Sequence, residues 1–163
     1  NYLGVSASDI FVGFATFNGV YRRFDKHIDT LKKVYIDDYA HHPEEVSATI
    51  AITKQLYPCR EIIVVFQPHL FSRTKDFAED FAVSLSKFDT VLLLDIYPAR
   101  ELPIQGVSSK WLLDKINLKR KKLVTKDKLI KTILKIDNPV LVTMGAGDID
   151  VEVNSITKTL QNA

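Results

Sequence analysis

The 163-residue sequence is 46% hydrophobic and 26% charged, with 22 Lys and Arg against 20 Asp and Glu. That length suits one domain with a single buried core and a short extra segment, and that composition excludes disordered and fibrous classes. Near-neutral charge gives no ground for nucleic acid or an anionic membrane as partner, and no apolar run is long enough to span a bilayer.

The chain opens with Ser8-Asp9 as a helix start, a short amphipathic helix over residues 10–17, and Asn18-Gly19 as its stop. Val20-Tyr21-Arg22-Arg23-Phe24 follows as a linker to the first strand. A lone helix with no strand before it is expected to be the tail of a preceding unit. From about Lys32, short β-branched runs alternate with stretches of helical period. The runs at 34–36, 62–66, 91–94, 123–124 and 140–142 are continuously apolar, which predicts strands covered on both faces, as in a parallel sheet. Between and after them, Val46, Ile50, Thr53 and Tyr57 recur at helical spacing, as do Phe77, Phe81 and Leu85. Leu129, Ile133 and Ile136 do the same, then Ile149, Val153, Ile156 and Leu160. The expected fold is a doubly wound, mostly parallel α/β sheet with helices on both faces and right-handed crossovers. The single cysteine, Cys59, beside the Pro58 turn, allows no internal disulfide and reads as an inert thiol, in keeping with a reducing compartment.

Ligands of open parallel sheets bind beyond the carboxyl ends of the strands, and three loops there are dense in polar residues. The first is Asp37-Asp38-Tyr39-Ala40-His41-His42-Pro43-Glu44-Glu45. Pro43, Glu44 and Glu45 suit a first helical turn, which accounts for them without any function. Asp38 is placed to accept hydrogen bonds from ribose hydroxyls, and Tyr39 and His41 to contact a polar substrate; helix capping or loop packing is the structural alternative for the histidines. No zinc site is expected, because cysteine partners are lacking and adjacent histidines diverge. The second loop is Gln67-Pro68-His69-Leu70-Phe71-Ser72-Arg73-Thr74, where Ser72 or Thr74 can cap the next helix. Arg73 then lies near a helix N-terminus, where the dipole disfavours a cation unless an anion meets it; an exposed surface arginine is the alternative. The third is Met144-Gly145-Ala146-Gly147-Asp148, whose glycines permit either a close backbone approach to a ligand or simply a tight turn. A fourth, proline-framed stretch over residues 97–106 is long enough to cover a site. No G-x-x-x-x-G-K-[ST] phosphate loop occurs, and no nucleophile is paired with a base in recognisable form, so the residues alone lead to a polar-ligand-binding α/β domain.

D-D-Y-A-H-H-P-E-E, F-Q-P-H-L-F-S-R-T-K-D-F and M-G-A-G-D-I, in that order and spacing, resemble the C-terminal domain of the Mur ligases, and the likeness covers nearly the whole chain. G-V-Y-R-R-F is similar to the family's hinge, and the segment from Tyr2 to Asn18 to the last helix of its central ATPase domain. The resemblance implies a tail and hinge at residues 1–24 and an amino-acid-binding domain at 25–163. Within the family the match is to the branch that joins L-alanine to UDP-N-acetylmuramate in cytoplasmic peptidoglycan precursor synthesis. A branch that recycles a preformed tripeptide shares D-D-x-A-H-H-P but is not expected to carry F-Q-P-H-x-x-S-R-T. A non-catalytic nucleotide- or amino-acid-binding module is the remaining alternative.

The family's chemistry uses ATP and Mg2+ to turn the muramoyl carboxylate into an acyl phosphate, which the amine of L-alanine attacks. The phosphate loop and magnesium ligands belong to the central domain, so no catalytic residue is expected in this chain, which should be inactive alone. Carried over by motif, Arg23 and Asp38 are the nucleotide-contacting pair. Tyr39, His41 and Arg73 form the L-alanine pocket, with Arg73 on the carboxylate and His69 in the same motif. Leu70 stands where many relatives have a second arginine, leaving Arg73 more of the task or Arg100 as a substitute.

Overall fold

The computed structural model describes residues 3–17, 19–136 and 139–162. Tyr2 and Asn18, assigned above to the first helix and its stop, lie outside them. Among the described residues, six strands form one sheet: β1 (Asp25–Asp29), β2 (Val34–Asp38), β3 (Ile62–Phe66), β4 (Thr90–Leu93), β5 (Lys121–Leu123) and β6 (Val140–Met144). The helices are α1 (Ala7–Thr16), α2 (Pro43–Leu56), α3 (Phe71–Asp76), α4 (Ala78–Leu85), α5 (Ser109–Lys115), α6 (Lys126–Ile133) and α7 (Asp150–Asn162).

The spatial order is β1-β2-β6-β3-β4-β5, with every pair parallel except the antiparallel β1–β2 edge. The continuous apolar strands β2, β3, β4 and β6 are buried at every position, as two-sided coverage requires. Alternate residues go to two separate cores. Val34, Ile36, Val64, Phe66 and Val142 pack against Val46 and Ile50 of α2, Phe81 and Leu85 of α4, and Leu112 of α5. Tyr35, Ile63, Val65, Leu92 and Leu141 pack against Leu129 and Ile133 of α6 and Val153 and Ile156 of α7. Connections that advance along the sheet and the one that returns from β5 to β6 keep the same hand only on opposite faces, and that is where α2 and α6 lie.

Several elements depart from the sequence expectation. Strand β1, Asp-Lys-His-Ile-Asp, has only Ile28 buried and is kinked by a register shift between Lys26 and Ile28. An edge strand covered on one face needs little apolar residue content. Helices α3 and α5 are six and seven residues long, too short for a periodic signal. The segment 20–24 is a built turn rather than a slack linker: Val20 bridges Arg23, Arg22 and Phe24 take positive φ of 56° and 49°, and Phe24 packs on the core. Helix α1, capped by Ser6 rather than starting at Ser8, buries none of its residues; Phe11, Phe14 and Phe17 beyond its end are all exposed. No helix among the described residues is long and apolar enough to cross a membrane.

Candidate amino-acid and nucleotide site

Because β6 inserts between β2 and β3, the loops after these three strands are neighbours at one end of the sheet. The chain leaves β2 and β3 toward one face and β6 toward the other, which opens a crevice of the kind that holds ligands in doubly wound sheets.

The floor of the crevice is a buried polar network. Arg22 Nε donates to Asp37 Oδ2 at 2.7 Å and its Nη2 to the Gly145 carbonyl at 2.7 Å. Thr143 Oγ1 donates to Asp37 Oδ1 at 2.6 Å, and the Tyr35 hydroxyl lies 3.1 Å from Thr143. Asp37 has no solvent exposure, and Arg22 is the cation paired with it. The backbone of Arg22 also accepts from Tyr39 N–H at 2.7 Å, which ties the hinge turn to the first loop. Neighbouring Arg23 goes the other way: half exposed, it sits over the Tyr39 ring at 5.3 Å and 3.5 Å from Glu45.

Asp38 is largely buried. Its Oδ2 accepts from Phe24 N–H and Thr49 Oγ1, and its Oδ1 from Ala40 N–H. Burial lifts its carboxyl above the ordinary value against the pull of those bonds and of Arg23. A carboxylate offers about four acceptor positions, so one remains, on Oδ1. Glu45 reaches back from α2 to accept from His41 N–H at 2.8 Å and His42 N–H at 3.1 Å. Burial favours its protonated form, but those amides, the His41 ring and Arg23 outweigh it and hold the carboxyl below its usual range.

The aromatic and cationic residues form one row. Tyr39 and His41 meet edge to face at 5.1 Å, His41 and His69 at 6.2 Å, and His69 stacks on Tyr97 at 5.7 Å. Arg73 Nη1 lies 3.3 Å from His69 Nδ1. A guanidinium only donates, so His69 Nδ1 accepts and its proton sits on Nε2. Burial, then Arg73 and His41, push the His69 pKa down, keeping this acceptor neutral. The His41 Nδ1 lies 2.9 Å from the Tyr39 carbonyl, which only accepts, so His41 presents an unprotonated Nε2 when neutral. The row thus offers a cation and a nitrogen lone pair on either side of His69. That pairing suits the carboxylate and amine of one small amino acid.

Tyr39, His41, His69 and Arg73 therefore come together, and Arg23 and Asp38 border them on the hinge side. Arg100 is exposed and makes no ion pair among the described residues. The helix after β3 is not capped by Ser72 or Thr74: its N-cap is Leu70, at φ 72°, and Glu101 from the long loop accepts from Ser72 N–H at 2.9 Å and from the Ser72 hydroxyl. Those bonds draw the Glu101 pKa down. The glycines of the third loop answer to packing. A Cβ at Gly145 would lie 2.7 Å from the Gln67 carbonyl, and one at Gly147 2.6 Å from both Gln67 Oε1 and Tyr97 Cβ. Gln67 itself bonds Asp148 at 2.8 Å and caps the approach to α7 through Ile149 N–H at 2.9 Å.

Sequence reasoning missed Arg22, Gln67, Tyr97 and Glu101 as site-building residues. Only Gln67 carried a signal, a buried-strand end followed by proline. Among the described residues no three His, Cys, Asp or Glu side chains stand together as a metal site.

An open, mostly parallel α/β sheet with a cationic–aromatic row at its topological switch point belongs to the doubly wound class, whose members hold ligands at such points. Residues 22–147 match the family described as Mur ligase, glutamate ligase domain, and the chain belongs to it. UDP-N-acetylmuramate–L-alanine ligase of Flavobacterium psychrophilum is 57% identical over 157 residues, 96% of this chain and 35% of that protein. The enzyme of the same name from Cytophaga hutchinsonii is 47% identical over 150 residues, covering 92% and 32%. The crystal structure of UDP-N-acetylmuramate–alanine ligase from Thermotoga maritima superposes with a TM-score of 0.79 at 27% identity, over 99% of this chain and 35% of that one. The murein peptide ligase of Psychrobacter arcticus shares the fold at a TM-score of 0.70 and 20% identity. The chain thus spans about a third of the length of the relatives it matches.

Proposed function

We propose that this chain is the C-terminal, amino-acid-binding domain of a cytoplasmic ligase that joins L-alanine to UDP-N-acetylmuramate at the expense of ATP. The observation that carries the reading is the Arg73–His69–His41 row, which offers a carboxylate clamp and an amine acceptor on one small ligand. The identity to ligases of that name supports alanine over a preformed tripeptide as the incoming group.

In this reading Arg73 holds the alanine carboxylate, oriented by the neutral His69 behind it. His41 Nε2 takes a proton from the ammonium, becoming imidazolium, and so leaves a lone pair on the nitrogen that attacks the activated muramoyl carbonyl. Tyr39 walls the site and carries Arg23 across its face toward the nucleotide. The remaining Oδ1 position of Asp38 suits a single ribose hydroxyl, and Arg23, exposed and only loosely paired with Glu45, suits a phosphate. The described residues offer no cluster of three or more His, Cys, Asp or Glu for Mg2+, so in this reading the metal would arrive with the triphosphate on the central domain. Catalysis is then mostly positioning: the domain delivers an oriented amine when the hinge at residues 20–24 closes. Residues 1–24 would be the tail and hinge of the preceding ATPase domain, whose surface would cover the bare phenylalanines of α1.

The test is phosphate release from ATP in a ligase carrying this domain, with UDP-N-acetylmuramate and a panel of amino acids. L-alanine should be used in preference to serine and glycine, and this chain alone should release none. A ligase that accepts only a preformed peptide would refute the assignment.

A further inference from the structure

Beyond the row lies a cleft of about 240 Å3, at the carboxyl ends of β4 and β5, lined among others by Ile96, Pro98, Val124 and Asp148. It is below the ~300–1,000 Å3 of drug-sized sites and comparable to the room a longer amino-acid side chain would need. Tyr97 borders both spaces: one face stacks on His69 at an interplanar angle of 21°, and the residue also lines the cleft.

We infer that the Tyr97 ring is the partition that restricts the incoming amino acid to a short side chain; this rests on the alanine-ligase reading above. With the carboxylate on Arg73 and the amine at His41, the two charged substituents straddle His69, and the side chain is directed toward His69 and Tyr97. A methyl group stops at the stacked His69–Tyr97 pair, whereas a longer chain would have to pass Tyr97 into the cleft behind it.

The ring is fixed there from three sides. Tyr97 N–H donates to the Pro68 carbonyl at 2.8 Å, and Leu70 N–H donates to the Tyr97 carbonyl at 2.9 Å. The second bond also holds Leu70 at φ 72°, a conformation a bulky residue does not adopt without external support. On the third side the turn at Gly147 packs so closely that an added Cβ would lie 2.6–2.7 Å from Tyr97 Cβ and Cγ. The two bonds fix the Tyr97 backbone, while the Gly147 turn and the stacked His69 crowd its side chain, so the ring does not swing aside at low cost.

The experiment compares kcat/KM for L-alanine, L-2-aminobutyrate and L-norvaline in a ligase carrying this domain, as wild type, Tyr97→Ala and Tyr97→Phe. Tyr97→Ala keeps the Cβ that packs on Gly147 and should raise the norvaline-to-alanine ratio about 10-fold or more, the scale of one or two methylenes in a pocket. Tyr97→Phe keeps the ring and should keep the wild-type ratio. Should Tyr97→Ala not fold, Tyr97→Leu, which retains apolar bulk while removing the ring, is read in its place and should move the ratio the same way. An equal loss for all three amino acids in the shortened variant, or a relaxed ratio in Tyr97→Phe, overturns the inference. A wild-type ligase that does not use L-alanine at all would instead sink the functional reading beneath it.

Discussion

Two pairs of identical neighbours have opposite fates in this domain. Arg22 and Asp37 turn inward and form an ion pair with almost no solvent contact, while Arg23 is half exposed and Asp38 keeps one acceptor position on Oδ1. Strand alternation separates Asp37 from Asp38, and although both guanidinium groups lie 5.3 Å from the Tyr39 ring, the buried ion pair with Asp37 is made by Arg22. The inner pair ties the turn at residues 20–24 to the first and third loops. Asp38 is buried as well, and no ion pair joins it to Arg23 among the described residues. Pairing, rather than burial alone, separates the two sets.

That division can be broken most severely at Arg22. Arg22→Ala strands the Asp37 carboxylate in a dry site and should cost about 3–5 kcal/mol in urea unfolding; Arg23→Ala, at a half-exposed side chain, should cost less than about 1 kcal/mol. Equal effects would erase the distinction. Gly147→Ala tests the third loop. Its Cβ would collide with Gln67 and Tyr97, so about 1–3 kcal/mol should be lost, where a loop shaped only for ligand approach would keep its stability.

The outer row is sharpened by pH. The His69 pKa lies below its ordinary value near 6.5, so the unfolded chain takes up a proton before the folded one. Folding stability should therefore be unaffected by His69 above about pH 6.5 and decline as pH falls from there through its lowered value. Protonation also removes the acceptor that orients Arg73. The kcat/KM for alanine should fall up to about tenfold per pH unit on that acid limb, and His69→Gln should abolish it. A limb that persists in His69→Gln belongs to another group.

How much of this was legible beforehand depended on the kind of signal. The strands β2, β3, β4 and β6 announce themselves because burial on both faces demands uninterrupted Val, Ile and Leu, and that demand also sets the parallel sheet. Strand β1 carries a single buried apolar residue, and nothing in Asp-Lys-His-Ile-Asp distinguishes an edge strand from a loop. Tyr39, His41, His69 and Arg73 stand out as polar residues at strand ends, but their assembly into one row depends on β6 inserting between β2 and β3, a fact of topology. Tyr97 and Glu101 were hidden more deeply. Their partners, His69 and Ser72, lie 28 and 29 residues away, and only the return of the β4 loop onto the β3 loop brings them together. The glycines of the third loop were visible, yet the neighbours that require them, Gln67 and Tyr97, were not.

The central claim is that the Arg73 guanidinium, set by His69, receives the carboxylate of the incoming amino acid. It is tested most directly by the Michaelis constants for L-alanine and for ATP in an Arg73→Ala ligase. Loss of a charge-assisted contact of about 1.5–3 kcal/mol should raise the alanine constant roughly 10- to 150-fold and leave the ATP constant within about twofold. An unchanged alanine constant, or an equal rise in both, would contradict it.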